Sequence, residues 1–371
     1  MLMTYLPALR IGSHQAQYCI IQGGMGVRIS GANLAAAVAN AGGIGIISAV
    51  GLGMNSPYFD PNQRNPLQRQ RQFFEANRLA LMDELNQARA LSPTGIIGVN
   101  IMVAARDYET LVRTAAEHGA NLIISGAGLP LKLPDFTANY PDVALVPIVS
   151  GARAARIICQ KWLRNYHRLP DAFVIENPRS AGGHLGATLE ELDSPHVDTT
   201  VTIPELVNYL KNDLKQSIPV IAAGGIWSRA DILQALLLGA AGVQIGTRFI
   251  TTDECDADER YKAFHVQAKA EDVVTVSSPV GLPGRALRNA FVDQVLAGDR
   301  PHAGLPCLAN CLQVCKFRDK QEPYCILRAL DSAARGDMEQ GLVFAGSNAG
   351  QSDRIRPVAE VMAELTGTAL S

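Results

Sequence analysis

The segment VIAAGG at residues 220–225 is followed by a helical stretch at Arg229–Leu238 and then by GVQIGT at residues 242–247. Each short run is mainly apolar, which is typical of a strand buried on both faces of a parallel sheet. A strand, a helix and a second strand in this order form one βαβ unit. The glycines that follow each strand therefore lie at the end of the sheet where such folds bind ligands.

The same alternation of short apolar runs and helical patterns extends along most of the chain. Eight parallel strands with helices outside them fit a closed barrel better than an open sheet, so we predict an α/β fold of the (β/α)₈ TIM-barrel type. The predicted strands are Cys19–Gln22, Gly45–Ser48, Ile97–Ile101, Leu122–Ser125, Leu145–Val149, Ala172–Ile175, Val220–Ala223 and Gly242–Ile245. The predicted helices are Gly31–Ala41, Gln68–Leu91, Asp107–His118, Ala152–Asn165, Ile203–Lys215 and Arg229–Leu238.

Length and composition agree with one large globular enzyme. The chain has 371 residues, of which 47% are hydrophobic and 18% charged. We expect a barrel over residues 1–252, an inserted or cap region over 253–345, and a C-terminal helix over 346–371 that returns to the barrel. The net charge of −2 and the lack of a basic run exclude an electrostatic footprint for nucleic acid or an anionic membrane.

The expected location is the cytoplasm. Residues 1–10 lack the pattern of a signal peptide, and Gly or Pro interrupts the most apolar segments before they reach the length of a membrane span. Seven cysteines in such a chain are expected to be reduced, as thiols or metal ligands.

Glycine-rich segments follow three of the predicted strands. Gly23, Gly24 and Met25 come after the first strand, where a tight turn is the simpler alternative to a ligand contact. Gly224 and Gly225 follow the seventh strand, and Gly246 and Thr247 follow the eighth. Two consecutive late strands that end in this way predict a phosphate site built from backbone N–H groups.

His184 is the best candidate for a catalytic group. It lies in the segment Ala181-Gly182-Gly183-His184-Leu185-Gly186, shortly after the sixth predicted strand. A histidine in a surface loop is the alternative interpretation, but the position among ligand-binding strand ends favours catalysis.

Taken together, these segments resemble the nitronate monooxygenase family, which also includes FMN-dependent enoyl-thioester reductases. The resemblance covers nearly the whole chain. It rests, in order, on residues 22–25, 98–100, 181–186, 222–226, 239–249, 284–289 and 345–347.

The resemblance implies FMN as the cofactor, bound noncovalently, and His184 as the active-site histidine near the flavin. It implies that Gly24 and Met25 lie along the flavin ring and that Gly224, Gly225, Gly246 and Thr247 surround its phosphate. It also implies cofactor contacts for Gly23, Asn100, Arg156, Asn177, Gly182 and Gly183. Arg156 replaces the usual lysine, and Met102 and Ser180 depart from residues common in nitronate-oxidising members, which puts the substrate in doubt.

Four of the seven cysteines cluster late in the chain. Cys307, Cys311 and Cys315 are spaced i, i+4, i+8, which predicts one stripe of a helix, and Cys325 follows Pro323. Four thiolates suit a [4Fe–4S] cluster, which we favour, or a zinc ion. The alternative is that they are small apolar residues in a packed helix.

Two reactions follow from the resemblance, and both use His184 and FMN. The first is oxidation of alkyl nitronates by O₂, and the second is NAD(P)H-dependent reduction of an enoyl thioester or quinone. A barrel that binds a phosphate ligand without flavin, or a non-catalytic barrel, is a more distant alternative. For partners we expect a small-molecule substrate and, in the second reaction, NAD(P)H. A homodimer is a candidate assembly, and we expect neither nucleic acid nor a membrane as a partner.

Overall fold

A computed structural model of the protein describes residues 5–368. Its centre is a closed barrel of eight parallel strands, in the order β3-β4-β5-β6-β7-β8-β10-β11 and back to β3, which confirms the predicted (β/α)₈ architecture. The strands of the chain are β1 (Leu9–Ile11), β2 (His14–Ala16), β3 (Ile20–Gln22), β4 (Ile44–Ser48), β5 (Ile96–Met102), β6 (Leu122–Gly126), β7 (Ala144–Val149), β8 (Phe173–Glu176), β9 (Gly183–His184), β10 (Val220–Ala223), β11 (Gly242–Ile245), β12 (Val273–Val276) and β13 (Gly284–Leu287).

Helices that follow the barrel strands cover their outer face, and further helices lie in the region after β11. The helices are α1 (Ala32–Asn40), α2 (Pro66–Leu91), α3 (Tyr108–Glu117), α4 (Leu133–Phe136), α5 (Ala152–Tyr166), α6 (Thr199–Asn208), α7 (Arg229–Leu237), α8 (Glu259–Gln267), α9 (Ala290–Leu296), α10 (Lys316–Lys320), α11 (Ile326–Ala334) and α12 (Val358–Thr366). The chain continues from α6 through a π-helical turn at Tyr209–Asp213. Among residues 5–368, no helix is both long and apolar enough to cross a bilayer.

The last helix completes the outer layer. The helix α12 contacts both α1 and α7, so it lies beside the first and seventh strand–helix units. Its Val358, Val361, Met362 and Leu365 are buried in the same apolar core as the barrel strands. The expected segment 346–371 extends past residue 368, and its last three residues lie outside the described part.

The region between the barrel and α12 has apolar cores of its own. One is built around Phe291, Phe317 and Tyr324 and reaches Phe73 on α2. The antiparallel pair β12–β13 extends this region toward the barrel, where β13 also pairs with β9, a short strand in the loop after β8. The inserted region thus contributes directly to the face of the barrel at which the strands end.

Candidate active site

A cavity of about 620 Å³ opens at the carboxyl ends of the barrel strands. Barrel enzymes place their active sites at this face because every strand–helix loop meets there. The wall includes His184 and most of the residues expected at the cofactor, namely Gly23, Gly24, Met25, Asn100, Gly182, Gly183, Gly224, Gly225, Gly246 and Thr247. Residues that are distant in the sequence are therefore brought to one site.

Arg156 does not line this cavity. It is exposed on α5, where its guanidinium pairs with Asp213 at 3.3 Å and lies 4.8 Å from the centre of the Tyr209 ring. The outward face of the helix directs the Arg156 side chain away from the barrel mouth, so the structure does not bring it together with the other predicted flavin contacts.

Asn177 also faces away from the cavity, and Glu176 takes its place in the wall. Neighbouring residues at the end of a strand point to opposite sides. The Asn177 side chain accepts a hydrogen bond from the Arg179 N–H at 3.0 Å and donates one to Thr199 Oγ1 at 3.4 Å. Asn177 therefore shapes the loop before His184 and does not line the cavity, so the structure places it apart from most of the other predicted flavin contacts. Burial raises the pKa of the Glu176 carboxyl to about 7.

His184 is held by two contacts from the inserted region. Its Nε2 lies 2.8 Å from Ser278 Oγ, and its ring meets Phe344 edge to face with centroids 5.2 Å apart. Burial lowers the pKa of His184 to about 4, because the cationic form loses hydration. The imidazole is therefore neutral at pH 7 and has one ring nitrogen that accepts a proton.

The loop that carries His184 is fixed by close backbone packing. A Cβ at Gly182 would lie 2.7 Å from the Ala345 carbonyl carbon and the Gly346 nitrogen, so only glycine fits there. The buried Arg285 donates hydrogen bonds to the carbonyls of Pro178 and Ala181 on the same loop. In the β9–β13 ladder, His184 pairs with Gly284. The position of the imidazole thus depends on residues about a hundred positions later in the chain.

The ends of β10 and β11 form a second part of the wall. Gly224 and Gly225 both have positive φ angles, 84° and 81°, which L side chains rarely adopt. Thr247 Oγ1 accepts a hydrogen bond of 2.9 Å from the Gly346 N–H, so the hydroxyl proton remains available to donate to a ligand. This arrangement suits an anionic oxygen such as a phosphate oxygen.

One buried polar atom in the wall lacks a protein partner. Gln244 Oε1, near the end of β11, is buried and accepts no hydrogen bond from the described residues. An unsatisfied buried carbonyl costs free energy unless a donor reaches it. The N–H group of a flat heterocycle bound in the cavity would satisfy this atom, so the residues present fit a flavin.

Cationic side chains are absent from the described wall of the cavity, so only backbone N–H groups and neutral side chains would bind an anion there. No lysine or arginine in the described part of the chain lines it. Its ionisable groups include His184 and two carboxyls, Glu176 and Asp107, and burial raises the pKa of both carboxyls. The interior is thus mainly apolar and close to neutral.

Comparison with known proteins identifies the group to which this architecture belongs. A family model described as nitronate monooxygenase matches residues 8–368. The chain belongs to the nitronate monooxygenase family.

Individual relatives of the family agree with this assignment. A Staphylococcus aureus protein named probable nitronate monooxygenase is 27% identical over 317 residues, covering 77% of this chain and 80% of the relative. A Mycobacterium tuberculosis protein is 26% identical over 294 residues, covering 79% of this chain and 70% of the relative. It is named (3aS,4S,5R,7aS)-5-hydroxy-7a-methyl-1-oxo-octahydro-1H-indene-4-carboxyl-CoA dehydrogenase. The solved structure of FabK from Thermotoga maritima superposes with a TM-score of 0.68 at 26% identity, covering 94% of this chain and 92% of FabK.

The prediction that Cys307, Cys311 and Cys315 lie on one helix is wrong. Cys307 and Cys311 lie in an irregular segment, and Cys315 is the residue before α10. Hydrogen bonds from arginine side chains to backbone carbonyls hold the segment in place of a helical ladder. The i, i+4 spacing was therefore not a helical signal here. No group of three or more His, Cys, Asp or Glu side chains within residues 5–368 is arranged to hold a single metal ion.

Sequence reasoning missed several residues of the site. Ser278, Arg285 and Phe344 come from the inserted region, and a single sequence carries no signal that brings them to His184. Glu176 and Gln244 had a usable signal in the sequence. Each is a polar residue at or next to the last position of an apolar strand.

Proposed function

We propose that the protein is an FMN-dependent oxidoreductase, and the observation that carries the proposal is the position of His184 in a glycine-rich cavity at the mouth of the barrel. When bound, FMN supplies reversible electron transfer to and from a substrate. FMN rather than FAD agrees with one phosphate site at adjacent strand ends and with the absence of a G-x-G-x-x-G fingerprint from the sequence. All seven cysteines lie in the described residues and none of them forms a disulfide, which supports a cytoplasmic location for this enzyme.

The wall divides naturally into parts with different tasks. Gly224, Gly225, Gly246 and Thr247 would hold the phosphate end, and Gly24 and Met25 would flank the ring. Gln244 would accept a hydrogen bond from the ring. His184 then remains for the substrate.

His184 would act as a neutral imidazole. Because its pKa is about 4, it accepts a proton from a substrate carbon acid or shares a hydrogen bond with a substrate oxygen at pH 7. The contact between Nε2 and Ser278 Oγ leaves the other ring nitrogen for the substrate. Phe344 limits rotation of the ring and shields it from water.

The first candidate reaction is oxidation of an alkyl nitronate by O₂, and membership of the family supports it. A nitronate is an anion, however, and the cavity has no cationic side chain from the described residues to balance its charge. Transfer of an unpaired anion into an apolar site is costly.

The second candidate, favoured by the charge of the cavity, is NAD(P)H-dependent reduction of an uncharged enoyl thioester or quinone. The acyl part of such a substrate needs no counter-ion, and the apolar wall would stabilise it. The M. tuberculosis relative bears a name that refers to a carboxyl-CoA substrate, which is compatible with a thioester.

Anaerobic stopped-flow measurements with the yellow protein distinguish these reactions. Rapid loss of flavin absorbance on mixing with NADH or NADPH supports the reductase. Loss with propionate 3-nitronate alone supports nitronate oxidation. Protein that binds no flavin after reconstitution would overturn both and leave a barrel for another phosphate ligand.

A further inference from the structure

Four cysteines surround one small cavity next to the active site. Cys307, Cys311, Cys315 and Cys325 all line it, together with apolar residues such as Leu308 and Phe317. The other three cysteines, Cys19, Cys159 and Cys255, are buried in separate parts of the apolar cores. Three of these thiols come from an irregular segment, and the fourth precedes a later helix. Packing of cysteines along one helix therefore does not explain why all four meet at one cavity.

Arginine side chains hold the segment that supplies three of these thiols. Arg69 donates to the carbonyls of Leu308 at 2.6 Å and Cys307 at 2.9 Å. Arg318 donates to Asn310 Oδ1 at 2.8 Å and to the Leu312 carbonyl at 2.7 Å. These hydrogen bonds fix the backbone of the segment, and its cysteines line the same cavity as Arg318.

Arg106 adds a third anchor from the barrel side. Its backbone N–H donates to the Cys311 carbonyl at 2.9 Å, and its guanidinium donates to the Leu312 carbonyl at 3.0 Å. The segment is therefore fixed from both α2 and the loop after β5. Such preorganisation is expected where ligands must meet one centre.

Backbone N–H groups lie near two of the four cysteines. The Asn310 N–H donates to Cys307 Sγ at 3.4 Å. Cys325 is the residue before the nine-residue helix α11, whose N-terminal N–H groups would stabilise a thiolate.

Four thiolates that converge on one small cavity repel one another. A bound metal offsets that repulsion, so the arrangement of the four cysteines suits a metal centre.

We propose that Cys307, Cys311, Cys315 and Cys325 are the ligands of an iron–sulfur cluster. A single zinc ion would require four sulfur atoms about 3.8 Å apart around Zn–S bonds of roughly 2.3 Å, and the described residues do not form a site for a single ion. A cluster shares its ligands among several iron atoms, so its cysteines are spread more widely.

The cluster would lie in the wall of the active-site cavity. Cys311, Leu312 and Ile326 line both the small cavity and the large one. The two sites are thus separated by single side chains. The cluster itself does not depend on the proposed flavin, because none of its four ligands is needed to hold one.

The test is elemental analysis of the full chain purified under anaerobic conditions, with iron, zinc and acid-labile sulfide measured per chain. The proposal expects iron and sulfide in a one-to-one ratio, and neither quantity is affected by bound flavin. Stoichiometric zinc without sulfide would overturn the iron–sulfur assignment. Neither metal, together with four thiols that react freely in folded protein, would overturn the site.

Single substitutions locate the ligands. Cys311→Ser should lose most of the iron and sulfide, whereas Cys159→Ala, which removes a buried thiol on α5, should retain both. Unchanged iron and sulfide in Cys311→Ser would contradict the assignment. If Cys311→Ser does not fold, the wild-type stoichiometry decides the question alone.

Discussion

At the scale of single residues, the neutral His184 is the group whose loss should affect turnover without affecting the fold. Its contacts are Ser278 and Phe344, so His184→Ala should leave flavin bound. We expect kcat/KM to fall by about 10²–10⁴-fold, the usual range for an acid–base group. Steady-state kinetics and the flavin spectrum measure both effects.

The exposed His196 gives a matched control, since His196→Ala should keep wild-type kinetics. Joint loss of flavin and activity in His184→Ala would make the histidine a structural or cofactor-binding residue. Wild-type kcat/KM in that variant would remove it from the mechanism.

Glu176 should make stability depend on pH in a definite direction. Its pKa is raised from 4.5 to about 7 in the folded state, so the folded protein binds more protons between these values. Its contribution to the free energy of unfolding therefore falls as pH rises from 4.5 to 7. Relative to wild type, Glu176→Gln should gain stability between pH 5 and pH 8, by up to about 3 kcal/mol.

Urea unfolding at the two pH values measures this difference. Comparison with the wild type cancels the contribution of buried histidines to the pH dependence of stability. One of them is His265, whose pKa is lowered to about 4 and whose contribution has the opposite sign. Glu205→Gln, at an exposed position, is the control. An equal shift in both variants would exclude Glu176 as the source.

Glu176 lines the cavity where Asn177 was expected, which shows that the sequence does not give the direction of a single side chain. Similarity of motifs aligns positions along the chain, but it does not say on which side of a strand end a side chain points. Arg156 lies outside the cavity for a related reason, because a position on a helix gives no angle about the helix axis. Gly182 and Gly183, next to His184, do line the cavity, since their placement depends on the backbone alone.

At the scale of elements, α1 depends on a cap from a distant part of the chain. Its N-cap residue is Gly31, which has no side chain to cap the helix. Asp256 instead accepts hydrogen bonds from the N–H groups of Gly31 at 2.7 Å and of Asn33 and Leu34 at 3.2 Å.

Asp256→Ala should therefore lower the free energy of unfolding by about 1–3 kcal/mol, because it removes a charged acceptor from a helix N-terminus. Asp256→Asn should retain part of that stability. Asp299→Ala, at an exposed position, serves as the control in chemical denaturation. Equal stability of Asp256→Ala and wild type would show that water replaces the cap.

The eight barrel strands were predicted to within one residue at each end, whereas the cysteine segment was not. Strands buried on both faces leave uninterrupted apolar runs, which only a few structures can accommodate. The cysteine segment is held by Arg69, Arg106 and Arg318, and such long-range hydrogen bonds leave no periodic pattern in the sequence.

At the scale of the whole molecule, flavin retention tests the barrel as a binding site. The purified protein should be yellow and contain about one noncovalent FMN per chain. A Cβ added at Gly246 would meet only Met25 within 4 Å, with Sδ at 3.5 Å. Gly246→Ala should therefore retain FMN, and Gly246→Phe should lose it by filling the space for the phosphate.

Acid release and chromatography identify and quantify the flavin in each variant. Release of FAD would overturn the choice of cofactor. Full FMN retention by Gly246→Phe, with an unchanged melting temperature, would place the phosphate elsewhere.

The pairing of β9 with β13 also has a consequence for the order in which the molecule is made. His184 leaves the ribosome 94 residues before Ser278, the side chain that orients it. Domains generally fold as units during synthesis. All eight barrel strands are synthesised before β13, the partner strand of the histidine segment. A nascent chain that stops short of β13 would contain the barrel strands but no oriented imidazole, so the enzyme becomes competent late in its own translation.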